Sequence, residues 1–530
     1  MEQFFHCSFP LNALPAANLA GVGIDTLSHD AKLKAKATIS YYQEVPADLL
    51  FFFSDIAIQA EAMGATLNFS PESMPSVAAP ARQVRLPRAA DVPRMRMNAQ
   101  VLKAMRRELP RRPSAALVYG PFTVAGQVAG EQEVLRGVVE RPDEVHALLD
   151  QCLDLALDYA ALMLEQGAEV LWVADPLAAL LPPESFWDFA GGYLSRLFAF
   201  KGDRNTALHI CGDTSQIVEP MLQTGVGGIS FDQCMDLLAI EDRIPSDVAI
   251  IGNLEPVEIL EQASPQEVVH STEELVMSLG VLPNFVLSSG CGPPPGAPVA
   301  NIKAFVQSGQ RSMAHLAPHA DRLLSLCSLV FHGKRQEVPA LVNEIREQGA
   351  KPMTILRAGL MRAVKKGSAL YEAKCCYLPA VLLMVDAFYP GYRVLQAELA
   401  QSGANRPAVA LGTVQGDFHE IGKNLVAIML EANGVGVKDL GVNVTPAMFV
   451  QACREDQCRV VGLSAFITSA RHQLGAVKKA LAAAGMVDVK MVTGGAAVNQ
   501  HLAGQAGMHG YAKDAVAAVR LVKKLMKESA

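Results

Sequence analysis

From residue 113 to 291 the chain alternates short apolar runs, rich in β-branched and aromatic residues, with longer stretches whose apolar positions recur three and four apart. The runs are SAALVYGPF, AEVLWVADP, TALHICGD, VGGISFDQ, DVAIIGNLEP and NFVLSSGCG. Continuous apolar runs belong to strands buried on both faces, and the helical stretches between them are the crossovers a parallel sheet requires. LLFFF at 49–53 reads as a further strand. About seven strands are therefore visible, which favours a (β/α)8 TIM barrel over 1–317 and leaves its eighth strand unassigned.

Between about 318 and 400 the β-rich runs stop. DRLLSLCSLVFHGKRQEVPALVNEIREQG, TILRAGLMRAVKKG and YLPAVLLMVDAFY carry helical periodicity and predict a small bundle. From 405 to 530 the alternation returns, with strands PAVALGTV, VGVKDLGV, RVVGLSAF and VKMVTGG. This pattern predicts a Rossmann-like α/β domain, joined through a Gly- and Pro-bearing linker at 397–407.

Composition narrows the partners. Half of the 530 residues are hydrophobic, 19% are charged and the net charge is -7, which argues against nucleic acid as a partner. The first residues have no basic segment ahead of their apolar ones, and VLWVADPLAALLPP is broken by Asp175 and closed by prolines. Neither a signal peptide nor a membrane span is expected. Ten cysteines without a paired framework suit a cytoplasmic location and leave thiols free for metal chemistry.

Two stretches carry that chemistry. TALHICGD puts His209 and Cys211 two apart on a strand end, so period-two alternation aims both at one face. Cys291, at the end of a later strand, is the candidate third ligand, because barrel sites gather residues from C-terminal strand ends. One histidine and two thiolates with an open fourth position form a catalytic zinc pattern, although HxC by itself is equally at home among buried strand cysteines. Asp175 and Asp232 close other strands; they are candidates for orienting substrate or a metal-bound water, with an equal claim to be helix caps.

The second stretch is QGDFHEIGKN, 415–424. Asp417, His419 and Gly422 fall between a strand and a helix, where open α/β sheets bind ligands. GTVQGDFHEIG lacks the GxGxxG of a dinucleotide site, so NAD is not expected. A loop histidine can ligate a metal through one ring nitrogen while a carboxylate holds the other.

This DxHxxG, with LSAFIT and VTGG downstream, resembles the corrinoid-binding domain of cobalamin-dependent methyltransferases over about 405–530. The resemblance implies that His419 becomes the lower ligand of the cobalt of cobalamin and that Asp417 hydrogen-bonds it. It further implies that Ser464 and Thr468 line the slot for the displaced nucleotide tail, and that Gly422, Gly494 and Gly495 let backbone approach it. The bundle, with YLP at 377–379, would cap the upper face of the corrin. The chain departs from the family at Phe466 and Ile467, where two leucines are usual, and at Gly507, Met508 and His509, where Gly-Ala-Asp is usual.

Over about 1–315, GPFTVAGQVAG, VADP, HICG, IIGNLEP and SSGCGPPP resemble the uroporphyrinogen-decarboxylase-type methyltransferases, which implies zinc on His209, Cys211 and Cys291. The Arg-rich N-terminal motif of true decarboxylases is missing, so decarboxylation is not expected. Together the resemblances point to a single-chain enzyme similar to halomethane:corrinoid methyltransferases. It would move a methyl group from a small methylated donor (halide, thioether or ether) to the cobalt of its own corrinoid, with zinc assisting the leaving group. The alternatives are transfer from the corrinoid to a thiol, as in coenzyme M methyltransferases, and a cobalamin carrier or sensor. The implied partners are a separate methyl acceptor or second methyltransferase and a reductive activation protein, with no nucleic acid and no membrane. His315 and His319 are separated by a proline, Cys375 and Cys376 are expected in the bundle core, and the basic run Arg82 to Arg112 reads as a solvated face.

Overall fold

The computed structural model describes residues 7–401 and 408–528. Residues 1–6 and the 402–407 part of the expected linker lie outside the described residues. The chain divides into two compact units, 1–320 and 321–530.

The strands of the first unit are β1 (Ser8–Phe9), β2 (Thr66–Asn68), β3 (Ser76–Ala79), β4 (Ala115–Tyr119), β5 (Val170–Ala174), β6 (Thr206–Ile210), β7 (Gly228–Phe231), β8 (Ala249–Leu254) and β9 (Phe285–Ser289). β2 and β3 pair as an antiparallel hairpin, and the other seven form one sheet in the order β1-β9-β8-β7-β6-β5-β4. Every pairing in that sheet is parallel.

The two edges of the sheet meet at residues 48–50. Leu50 makes a parallel bridge to Ser114 beside β4, while the Asp48 N–H donates to the Ser8 carbonyl of β1 at 3.1 Å. The sheet thus curls into a barrel. Burial drives the closure: Phe9 and Phe51, from the two closing segments, both pack edge-on against Trp172 of β5, at 6.0 and 5.1 Å between ring centroids. All three are fully buried, and edge-to-face aromatic contact adds to the apolar area removed from water. The strand left unassigned by periodicity is β1, which is two residues long and runs into Pro10. LLFFF contributes only the Leu50 bridge.

The second unit begins one residue into helix Ala320–Phe331, which makes the bundle with helices Val338–Glu347, Arg362–Glu372 and Leu378–Gln401. Cys375 is exposed and Cys376 half-buried at the turn between the last two helices, so neither belongs to the core as expected. A five-stranded parallel sheet follows: β10 (Val409–Thr413), β11 (Val437–Asp439), β12 (Val460–Ser464), β13 (Lys490–Gly494) and β14 (Gly510–Ala512). Its order is β11-β10-β12-β13-β14. The strand order therefore reverses between β10 and β12, and the crevice beyond the C-terminal ends of those two strands is where such sheets bind ligands. Thr413 pairs with Ser464 and Ser464 with Gly494, so three strand ends lie level at that edge.

The basic run is structural in part rather than a solvated face. Arg94 is 7% exposed, ion-paired to Asp55 and, at 2.7 Å, to Glu61. Arg112 donates to the backbone carbonyls of Tyr42 and Val45. Nearby, Lys34 is 1% exposed, donates to Asn98 Oδ1 at 2.7 Å and lies 4.5 Å from the centroid of the Phe53 ring. Burial pushes its pKa down from 10.5 to about 7. Between those two values the unfolded chain holds a proton that the folded lysine lacks, so folding stability rises with pH there. Lys34→Met should flatten the pH dependence of urea unfolding of this unit, by about 1.4 kcal/mol per pH unit. An unchanged slope would show that the lysine is not neutralised by folding.

Candidate functional site

In the first unit, His209 of β6 pairs in register with Ser230 of β7, so both side chains face the same side of the sheet. The imidazole Nδ1 lies 3.1 Å from Ser230 Oγ and 3.2 Å from the Ser230 carbonyl. A carbonyl only accepts, so Nδ1 carries the proton and Nε2 is left bare. Cys211 Sγ is 3.2 Å from that Nε2. Cys291 arrives from the loop after β9, and the donor atoms of His209, Cys211 and Cys291 all lie within 4.8 Å of one another. Gly290 permits this: a Cβ there would come within 2.5 Å of the Gln233 backbone nitrogen in the loop after β7.

Electrostatics describe a site with charge to neutralise. A hydrogen bond from Cys211 holds the Cys291 thiol well below its ordinary range, against the cost of burial. Cys211 is pushed up by that same contact, by burial and by the Asp232 charge. One nitrogen and two sulfurs at these separations fit a tetrahedral zinc ion, whose bonds of roughly 2.0–2.3 Å place neighbouring donors just under 4 Å apart.

The two expected aspartates part company. Asp232, 7% exposed, sits on the loop after β7, where its Oδ1 accepts from the Cys234 N–H at 3.0 Å and its charge reaches Cys211. Asp175 is fully buried, and its Oδ1 accepts from the Thr123 N–H and hydroxyl at 2.7 and 2.6 Å. That is the first turn of helix Pro121–Ala129, so its contacts are those of a helix cap. Burial still raises its pKa to about 6.

Three residues here were not anticipated from sequence: Ser230, Asn253 and Tyr119. Asn253 donates to the carbonyls of Asp232 and Met235, at 2.9 and 2.8 Å, and holds the loop that carries Asp232. Tyr119 ends β4, donates to the Ser54 carbonyl at 3.0 Å and is buried near enough to Asp55 and Cys291 to feel their charge. Only the pairing of strands brings these to His209. The IIGNLEP run contained Asn253, and a polar residue inside a buried strand was its one local signal.

In the second unit, Asp417 is fully buried on the loop after β10. Its Oδ1 accepts from the His419 N–H at 3.0 Å and lies 2.8 Å from His419 Nδ1. Its Oδ2 accepts from the N–H groups of Phe466 and Ile467, at 2.5 and 3.1 Å, on the loop after β12. Burial would raise its pKa, but the four hydrogen bonds outweigh it and hold the carboxyl below the usual carboxylate range. The Thr413 hydroxyl donates to the His419 carbonyl at 3.0 Å. The His419 side chain remains 53% exposed, with Nε2 free of the carboxylate.

A cavity of about 340 Å³ opens beside this loop, with Gly422, Ser464, Gly494 and Gly495 in its wall. Thr468 lies outside that wall, at the start of the turn Thr468–Ala470. A Cβ on Gly422 would meet nothing within 4 Å, so the space there is open to a ligand. Gly494 and Gly495 answer to the chain itself: a Cβ would come within 2.7 Å of the Ala512 carbonyl and 2.3 Å of the Ala465 carbonyl, and Gly495 has φ +111°. A histidine with a fixed Nδ1 and an open Nε2, beside a cavity of this volume, fits a corrinoid held through its cobalt and its nucleotide tail.

Comparison with known proteins agrees with this division. Residues 14–311 match the family described as uroporphyrinogen decarboxylase (URO-D), and residues 407–520 match the B12 binding domain. The methylated-thiol--coenzyme M methyltransferase of Methanosarcina mazei is 27% identical over 287 residues, 53% of this chain and 77% of that protein. Dimethylamine corrinoid protein 2 of the same organism is 30% identical over 214 residues, 40% of this chain and 100% of that protein. A solved methyltransferase from Methanosarcina mazei shares the fold, with TM-score 0.53 and 23% identity over 57% of this chain and 93% of that one.

The donor set carries a direct test. Zinc titration of the metal-stripped chain should give one tight site, weakened by more than about tenfold in Cys211→Ser and by about tenfold in Ser230→Ala, which removes the hydroxyl beside Nδ1. Wild-type affinity in Cys211→Ser would dismiss the cluster as a metal site.

Proposed function

Because the chain belongs to the uroporphyrinogen decarboxylase (URO-D) family and joins that domain to a B12 binding domain, we propose that it is a single-chain, zinc- and corrinoid-dependent methyltransferase. It takes a methyl group from a small halide, thioether or ether to its own corrinoid. The observation that carries this is the presence, in one polypeptide, of both the His209–Cys211–Cys291 donor set and the Asp417–His419 pair. When bound, the corrinoid supplies a cobalt centre for methyl transfer and the zinc ion supplies a Lewis acid.

The residues divide the work. His209, Cys211 and Cys291 would hold zinc and leave one position for the sulfur, oxygen or halide atom that departs from the methyl carbon. Asp232, fixed through Asn253, is placed to orient that donor. Asp175 keeps helix Pro121–Ala129 in place, which makes its part in the chemistry indirect. His419 would hold the cobalt of the corrinoid through Nε2. Asp417 fixes the imidazole and makes it more basic by accepting from Nδ1. Gly422, Ser464, Gly494 and Gly495 would border the nucleotide tail, with Thr468 further out.

A second reading runs in the opposite direction, to a thiol held on the zinc. It is favoured by the M. mazei relative, whose name gives coenzyme M as its partner, and by the affinity of zinc for sulfur. Either direction calls for a separate methyl acceptor, donor or second methyltransferase and for a reductive activation protein, in the reducing cytoplasm. Among the described residues no helix is long and apolar enough to cross a membrane.

The test reconstitutes the full chain with hydroxocobalamin, reduces it, and follows the visible spectrum while methyl halides, thioethers and aryl methyl ethers are added. Loss of the reduced-cofactor absorbance with one donor class, slowed at least about a hundredfold in Cys291→Ser, is expected. Demethylation of the methylated cofactor by thiols, with no response to donors, would replace the first direction with the second. Silence in both assays would overturn the assignment.

A further inference from the structure

The Asp417 carboxylate does more than hold the histidine. Its two oxygens bind two different loops: Oδ1 takes the N–H and Nδ1 of His419, and Oδ2 takes the N–H groups of Phe466 and Ile467. Phe466 is thereby brought over the imidazole, with ring centroids 4.2 Å apart and planes inclined by 25°. It is a large aromatic side chain, 50% exposed at a position the backbone fixes. An exposed phenylalanine held by its own amide against a functional imidazole has no role in the core, since the apolar cluster beneath this sheet edge is completed by Ala465, Ala470 and Leu474.

We propose that Phe466 is a positioning residue for His419: stacked on one face of the imidazole, it sets the ring plane and shields it, so that Nε2 is aimed at the cofactor before the cofactor arrives. The Nδ1 contact alone leaves the ring free to rock about the line joining Nδ1 to Oδ1. A second constraint, from a flat ring parallel to the first, removes that freedom. Near-parallel aromatic contacts of this kind contribute enough to shift an equilibrium by about two- to tenfold. Preorganisation is worth the entropy otherwise lost when the ligand bond forms.

The inference rests on His419 as the cobalt ligand, and its test separates the two. In the corrinoid-free full chain, with histidine labelled at the ring carbons, the His419 ring protons should be displaced upfield by the stacked phenyl ring. Phe466→Leu, which keeps apolar bulk but not the aromatic face, should abolish that displacement, and Phe466→Tyr should retain it. After loading with cobalamin and one-electron reduction, the electron paramagnetic resonance spectrum should show coupling to one histidine nitrogen. In Phe466→Leu part of that population should lose the coupling, and cobalamin affinity should fall about two- to tenfold. Phe466→Tyr should restore both. Unchanged ring-proton positions in Phe466→Leu, or unchanged coupling and affinity, would overturn the positioning role while leaving His419 ligation intact. A wild-type chain that binds cobalamin without histidine coupling would overturn the ligation itself, and the positioning role with it.

Discussion

One buried carboxylate organises the C-terminal site. Asp417 is removed from water yet accepts four hydrogen bonds from two loops that are 49 residues apart in sequence. A buried anion is tolerable only when its lone pairs are filled in this way. The cost of leaving them empty is what ties the loop after β10 to the loop after β12. Replacing the carboxylate would release both the imidazole and the phenyl ring stacked on it. Because the sheet order reverses between these two strands, the bridge falls at the crevice where such sheets bind ligands.

The first unit reaches its site by a different route. No single group there gathers the donors; parallel strand registry does. His209 sits level with Ser230 on the neighbouring strand, and Cys291 extends from the end of β9. β8 lies between β7 and β9, and its Asn253 holds the intervening loop. The cluster therefore depends on the barrel being closed. Closure in turn depends on Phe9 and Phe51 burying themselves against Trp172. A defect in that aromatic core would be felt at His209, Cys211 and Cys291 through the positions of the strand ends, without touching any of them.

These dependencies explain what could be read from the amino-acid order. Alternation along a single strand puts His209 and Cys211 on one face, and a loop between a strand and a helix identifies Asp417 and His419, because both signals are local. β1 escaped notice since two residues cannot show a period, and its place in the sheet is set by partners almost 280 residues away. Ser230 and Tyr119 escaped for the same reason. Asp175 carried the same local signal as Asp232, an aspartate closing a strand. Contacts with other segments separate them: Asp175 meets the first turn of helix Pro121–Ala129, whereas the Asp232 charge reaches Cys211, and neither contact shows along a single strand. Phe466 was legible only as a departure from two leucines; its position over His419 is a property of the Asp417 bridge.

The two imidazoles are held in the same way on different elements, a strand for His209 and a loop for His419. Both are held through Nδ1 and present Nε2, but the acceptors differ: a serine hydroxyl and carbonyl for His209, an ionised carboxylate for His419. A carboxylate acceptor makes its histidine the more electron-rich ligand, because charge builds on the ring when the shared proton shifts toward oxygen. A site that already offers two sulfurs, one of them held as thiolate, has little need of that push, and extra negative charge would weaken the Lewis acidity of a bound zinc ion. A corrinoid held by the His419 imidazole would bring no such thiolates, and the Asp417 carboxylate would be the means of strengthening that bond. On the proposed assignment of the two metals, the difference between Ser230 and Asp417 follows from the charge each neighbouring donor set supplies.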